Sequence, residues 1–170
     1  EVMKHILILN PNSGKKKNIR KFEAEVMKTA EELGIECEIY HTKAAFDGCR
    51  YARECCEKAT AEGKKLRIYG CGGDGTVNEL VNGVYGFKNV EIGIFPMGTG
   101  NDYIRNYGKA SDFLNIRNQF LGKSRTSDLI KYQAEYKGKT SEGYCANMFN
   151  IGFDCNVADL TSKVKKIPFI

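Results

Sequence analysis

The chain has 170 residues, 42% of them hydrophobic, with a net charge of +5. That is enough for one domain of ordinary size, burying roughly 70% of its unfolded surface, with room only to begin a second. The charge is too dilute for a dedicated nucleic-acid binder and suits phosphate ligands and brief contact with anionic lipid, while no apolar run approaches the ~18 residues of a membrane span.

Residues 4–10 are apolar and end in Asn10-Pro11, the pattern of a buried strand stopped by a loop. The loop over residues 10–17 leads into a helix over 18–33, where Ile19, Phe22, Val26, Ala30 and Leu33 recur three and four apart. Gly34 is its stop signal. A second strand is expected over 36–41, a second helix over 46–62 closed by Gly63, and a third strand over 66–69. A third helix comes next over 76–84, with Gly86 after it, then a fourth strand over 90–95 and short helices over 103–107 and 112–121. Four strand–helix alternations predict right-handed crossovers and a parallel sheet with helices on both faces.

The pattern changes near Ser127. Leu129, Lys131, Gln133 and Glu135 alternate with Ile130, Tyr132, Ala134 and Tyr136, and Lys137-Gly138-Lys139 is a hairpin turn signal. A return strand is expected over 143–150, and residues 155–166 are weakly helical. Residues 1–127 therefore read as an α/β domain, and 128–170 as the start of a second, antiparallel one. Glu1-Val2-Met3-Lys4 opens straight into a strand pattern, so no signal peptide is expected.

Seven cysteines without a C-x-x-C pair, and only two histidines, His5 and His41, argue against a structural zinc site. The odd, scattered count suits reduced cytosolic thiols used as core fillers. His41 reads as a surface or core histidine. Cys71 reads as a small residue tolerated in a turn, with a reactive thiol as the alternative.

The most informative stretch is Gly70-Cys71-Gly72-Gly73-Asp74-Gly75-Thr76-Val77-Asn78-Glu79. Glycines between a strand and a helix let the backbone approach phosphate oxygens. The first amides of the following helix lack partners within it and point at an anion. Asp74 then places a carboxylate beside the phosphates, to hold a metal or accept a proton. A tight turn that happens to be glycine-rich is the plain alternative. A dinucleotide fingerprint is another, since Gly70, Gly72 and Gly75 fit G-x-G-x-x-G with Glu91 further on.

Ligands of such sheets bind at the carboxyl ends of the strands. Three loops leave strands at that edge: residues 10–14, 71–75 and 96–102. The first holds Asn10, Pro11, Asn12, Ser13, Gly14 and the lysines Lys15, Lys16 and Lys17; it does not fit a Walker A loop and reads as a second phosphate or adenosine contact, or as a solvated basic turn. The last holds Gly98, Thr99, Gly100, Asn101 and Asp102. Thr99 and Asp102 are expected to face Asp74, or Asn101-Asp102 to cap a helix. Thr42 ends the second strand within reach of a nucleotide.

Together, Asn10-Pro11-x-Ser13-Gly14, Gly72-Gly73-Asp74-Gly75-Thr76-x-Asn78-Glu79 and Pro96-x-Gly98-Thr99-Gly100-Asn101-Asp102 resemble the diacylglycerol kinase catalytic-domain family of soluble lipid kinases. The resemblance covers residues 4–128 and the early part of the second domain. It implies a Rossmann-like sheet flanked by helices, then the start of a β-sandwich domain. It also implies ATP, Mg²⁺ and transfer of the γ-phosphoryl group to a lipid alcohol at the inner membrane surface of the cytoplasm.

Carried over by residue, the family pattern implies ATP contacts from Asn10, Pro11, Asn12, Ser13, Gly14, Thr42, Gly72, Gly73, Asp74, Gly75, Thr76, Val77, Asn78 and Thr99. Asp74 would act as metal-organising carboxylate or base. Lys15, Arg20, Asp102 and Asp128 resemble a charged network tying two domains together near the metal. The family's sandwich domain continues well beyond residue 170 and supplies a further acid, so this chain is expected to be a fragment with little kinase activity of its own. A homodimer is open on this reading, and no nucleic-acid partner is expected. An NAD kinase-like enzyme shares the glycine turn, and a non-catalytic nucleotide-binding module is the remaining alternative.

Overall fold

The computed structural model describes residues 3–13 and 16–149. Residue 14, residue 15 and the expected helix over 155–166 lie outside them. Strand β1 (Met3–Leu9) is followed by α1 (Lys16–Leu33), β2 (Cys37–His41), α2 (Asp47–Ala61), β3 (Lys65–Gly72), α3 (Asp74–Val84) and β4 (Val90–Pro96). A 3₁₀ turn (Tyr103–Asn106), α4 (Ala110–Phe113) and α5 (Ile116–Leu121) precede a hairpin of β5 (Ile130–Tyr136) and β6 (Lys139–Cys145).

The first four strands form one parallel sheet in the order β2-β1-β3-β4, and the hairpin forms a separate antiparallel sheet. Strands buried on both faces explain the continuous apolar runs. Successive side chains point to opposite faces, so Leu7 and Leu9 pack with Val26, Ala30, Phe95 and Phe120. Ile6 and Ile8 pack on the other face with Ala52, Cys56, Ile68 and Leu80. Gly34 and Gly63 come after α1 and α2 with φ of +64° each, the left-handed conformation that ends a helix.

Three departures from the expected boundaries have a physical reason. First, β3 runs on through Gly70, Cys71 and Gly72 instead of turning after Tyr69. It is an inner strand, paired to Leu9 on one side and to Pro96 on the other, so ladder bonds outweigh the low strand propensity of glycine. Second, the helix expected over 112–121 breaks at Asn115, whose side chain accepts from the Asn118 amide at 2.9 Å and caps α5.

Third, β6 starts at Lys139 because Lys137 and Gly138 make a two-residue turn, with φ of 51° and 72°, so Tyr136 pairs Lys139 at once. The hairpin packs on α3. The Asn82 side chain donates to the Tyr144 carbonyl at 2.8 Å and accepts from the Tyr144 amide at 2.9 Å. Tyr85 and Tyr144 stack with ring centroids 3.6 Å apart.

Candidate active site

The loops after β1, β3 and β4 meet at the carboxyl edge of the sheet in a cleft of ≈ 360 Å³. Asn10, Asn12 and Ser13 form one wall, Gly73, Gly75, Thr76 and Glu79 the second, and Met97, Gly98 and Thr99 the third. The loops are tied together by backbone. Asn10 N–H donates to the Cys71 carbonyl at 3.0 Å, and Met97 N–H to the Gly72 carbonyl at 2.9 Å.

Gly73 stands immediately before α3, and the Thr76 and Val77 amides both donate to its carbonyl. The amides of Asp74 and Gly75 have no carbonyl partner among the described residues, so the positive end of the helix opens at the cleft. Gly75 is exposed, and a Cβ built on it meets nothing within 4 Å. A side chain there would project into open space at the cleft, not into protein.

Asp74 stands beside the cleft and is not among the residues that line it. Its Oδ1 accepts from the Tyr103 amide at 2.9 Å, which ties α3 to the segment after β4. Its Oδ2 lies 3.3 Å from where a Gly100 Cβ would stand, and Asp102 Oδ2 lies 3.5 Å from the same point. Asp74 and Asp102 thus both border the position of Gly100. Asp102 Oδ1 pairs with Arg105 Nη1 at 2.9 Å. Burial holds the Tyr103 phenol above its usual range. Asn101 caps nothing: its side chain accepts from the Gly98 amide at 3.1 Å and donates to the Gly98 carbonyl at 2.7 Å, holding the loop in shape at φ 53°.

Several expected contacts are not on the cleft. A Cβ on Gly72 would lie 2.1 Å from Thr76 Oγ1, so Gly72 serves helix–strand packing and sits behind the cleft. Val77 is buried with Val81, Ile94 and Ile104. Asn78 is turned from the cleft; its Oδ1 is buried without a partner among the described residues, and its carbonyl accepts from Asn82. Pro11 is exposed and Thr42, whose amide donates to the Leu9 carbonyl, follows directly after β2; neither lines the cleft. Among the described residues no contact joins Arg20, Asp102 and Asp128; Arg20 and Asp128 are exposed.

Cys71 is fully buried in β3 and burial pushes its thiol well up, which rules out the reactive reading. His41 is exposed and paired with Glu23 of α1. Glu91 sits near the start of β4, bound to Arg67 at 2.5 Å, at the end of the sheet opposite the cleft. The dinucleotide reading therefore lacks its acid. Glu79 and Met97 line the cleft, a role that the sequence pattern did not assign to them. The signal for Glu79 was its place one helical turn after Thr76.

A larger groove of ≈ 680 Å³ runs along the outer edge of β4, walled by Val77, Val81, Ile92, Ile94, Tyr103 and Tyr107. It lacks the glycine-lined amides that recommend the smaller cleft. No group of three or more His, Cys, Asp or Glu side chains able to hold a metal occurs among the described residues.

Residues 4–132 match the family model of the diacylglycerol kinase catalytic domain. The chain is 34% identical over 132 residues to a diacylglycerol kinase of Staphylococcus carnosus (strain TM300), covering 76% of this chain and 41% of that protein. It is 32% identical over 133 residues to a diacylglycerol kinase of Bacillus subtilis (strain 168), covering 76% and 42%. The crystal structure of a diacylglycerol kinase from Bacillus anthracis str. Sterne superposes with a TM-score of 0.54 at 24% identity, over 81% of this chain and 44% of that one. The chain thus spans less than half the length of these relatives. On the match over residues 4–132, it belongs to the diacylglycerol kinase catalytic-domain family, a family of lipid kinases.

Proposed function

We propose that this chain forms the ATP-binding part of a lipid kinase that transfers the γ-phosphoryl group of ATP to the hydroxyl of diacylglycerol or a related lipid. The observation that carries the reading is the meeting of three loops around the open N-terminus of α3. In this reading the Asp74 and Gly75 amides receive phosphate oxygens, and Asn10, Asn12, Ser13, Thr76 and Thr99 supply neutral donors around them. Gly75 leaves the space that the phosphates fill. Such chemistry asks chiefly for positioning and charge neutralisation.

Mg²⁺ fits the residues present in one specific way. Asp74 Oδ2 and Asp102 Oδ2 approach one point from two elements, which suits an ion held by one or two carboxylates and completed by phosphate oxygens, not an all-protein cage. When bound, the ion would neutralise phosphate charge. Asp74 has a second task, since Oδ1 holds the Tyr103 amide and so keeps the loop after β4 against α3.

Among the described residues no helix is long and apolar enough to cross a membrane. Access to the lipid is assigned to contact with the membrane surface, a reading supported by the net charge of +5. The boundary near residue 128 between an α/β domain and a second domain belongs to the same proposal, supported by the separate hairpin sheet.

The test is a lipid kinase assay with labelled ATP on a protein containing this chain and the length its relatives add, with diacylglycerol and other lipid alcohols presented in vesicles. Labelled phospholipid is the expected product. No product from any lipid alcohol, or NADP formed from NAD instead, overturns the reading.

A further inference from the structure

We propose that the loop between β2 and α2 is a membrane wedge: Phe46 enters an anionic bilayer, with Lys43 against the head groups, and holds the cleft at the surface that carries the lipid alcohol. The inference rests on the lipid-kinase reading above and adds to it the contact by which the site reaches its acceptor.

Lys43, Ala44, Ala45 and Phe46 are all exposed. At 76% exposure, Phe46 is the most exposed large hydrophobic side chain among the described residues, and it joins none of their core clusters. Its backbone is also left-handed, with φ of 63°. Glycine enters that region freely, and a residue with a bulky side chain enters it at a cost. Exposure and strain thus coincide on one aromatic residue, a combination that points to a role at a functional surface.

The tip is held in shape from below. Asp47 Oδ2 accepts from the Lys43 amide and from the Tyr40 hydroxyl, each at 2.9 Å, and Asp47 Oδ1 accepts from Arg50 at 2.6 Å. One carboxylate joins the end of β2, the loop and the first turn of α2. The wedge is therefore formed before it meets lipid, and seating it needs little further ordering.

The wedge also stands beside the cleft. Thr42, just before it, donates its amide to the Leu9 carbonyl, and Leu9 is followed by Asn10 of the cleft wall. Gly48, just after it, has its Cβ position 3.1 Å from Oε2 of Glu79, which lines the cleft.

Charge and size select a bilayer over a protein partner. Lys43 makes no ion pair among the described residues, and Lys16 and Lys17 open α1 at the same edge of the sheet. The acid of the loop base, Asp47, is already paired with Arg50. A tip of two alanines and one ring is far smaller than the ~800 Å² that a stable protein interface takes from each partner. It suits shallow, reversible seating in an anionic head-group layer.

The chain has no tryptophan, so Phe46→Trp places a single fluorescent reporter at the tip. Lys88→Trp places one at the opposite edge, in the exposed turn between α3 and β4. With vesicles of phosphatidylcholine and phosphatidylglycerol in equal parts, emission from position 46 should shift to shorter wavelength and be quenched by brominated acyl chains. Emission from position 88 should do neither. In the longer protein of the kinase assay, Phe46→Ser should weaken sedimentation with the same vesicles about tenfold. Phe46→Gly should weaken it equally and raise the denaturant midpoint, because the strain leaves with the ring.

Quenching at both positions would mean undirected adhesion and overturn the inference. No quenching at position 46 would overturn it too. Unchanged sedimentation of the longer Phe46→Ser and Phe46→Gly proteins would assign the ring to a protein contact and equally overturn it. None of these readouts needs ATP or turnover, so their failure and that of the kinase reading are told apart.

Discussion

Gly73 and Gly98 meet backbone to backbone: a Cβ on Gly98 would lie 2.4 Å from Gly73 Cα. That contact closes the cleft between the turn before α3 and the loop after β4, and it admits no side chain. Gly98→Ala must move one of the two backbones, at a cost of about 1–3 kcal/mol. Denaturant unfolding should show that loss, together with weaker ATP binding.

Gly75 behaves oppositely. Nothing lies within 4 Å of its Cβ position, so Gly75→Val should leave stability within ~1 kcal/mol of the parent. It should nonetheless abolish ATP binding in calorimetry, because the new side chain fills the space assigned to phosphate. Loss of stability together with retained binding would contradict this placement of the phosphates.

Asp74 combines two tasks that substitution can separate. Asp74→Ala leaves the Tyr103 amide without its acceptor, costing about 1–2 kcal/mol. Asp74→Asn keeps an acceptor oxygen and loses the charge. Thermal unfolding of the Asn variant should stay close to the parent, while the gain in ATP affinity on adding Mg²⁺ falls roughly tenfold.

Asn82 fixes the hairpin to α3 through both groups of its amide, bound to the Tyr144 backbone. In Asn82→Ala the β5 and β6 amides should exchange hydrogen about tenfold to a hundredfold faster, with the four-stranded sheet unchanged. Uniform acceleration across the chain would mean that the hairpin is not a separate cooperative unit.

His5 is 4% exposed, bound through Nδ1 to the Tyr69 hydroxyl at 2.9 Å, and its pKa is pushed down to about 4 by burial and then by the Arg67 charge. The unfolded chain takes up this proton near pH 6.5 and the folded chain only near 4. Stability should therefore fall as pH drops from about 6.5 to 4, by up to ~3 kcal/mol. In His5→Leu the slope of unfolding free energy over that window should flatten.

Legibility of the site tracked the range of each signal. Ile19, Phe22, Val26 and Ala30 announce α1 because helical spacing is local. The three loops at the carboxyl edge were predictable because parallel βαβ topology delivers every strand end to one side. Gly70 and Gly72 misled for the converse reason: their strand state depends on partners at Ile8 and Ile94, and at Pro96, far along the chain.

Side-chain direction was the other gap. Val77, Asn78 and Glu79 are neighbours in one motif, yet each successive residue turns about 100° round the helix. Val77 enters the core, Asn78 turns from the cleft, and Glu79 faces it. The motif read as a string assigned Val77 and Asn78 to the ligand and left Glu79 out.

The sequence by itself determined the alternation of elements, the family and the edge at which the loops gather, since periodicity, stop glycines and motif spacing are written along the chain. Only the tertiary structure decided which atoms face the cleft, that Asp74 and Asp102 both border Gly100, and that Glu79 lies instead beside Gly48. Those facts depend on rotation about the α3 axis and on backbone contact between Gly73 and Gly98, and neither is encoded within a local window of sequence.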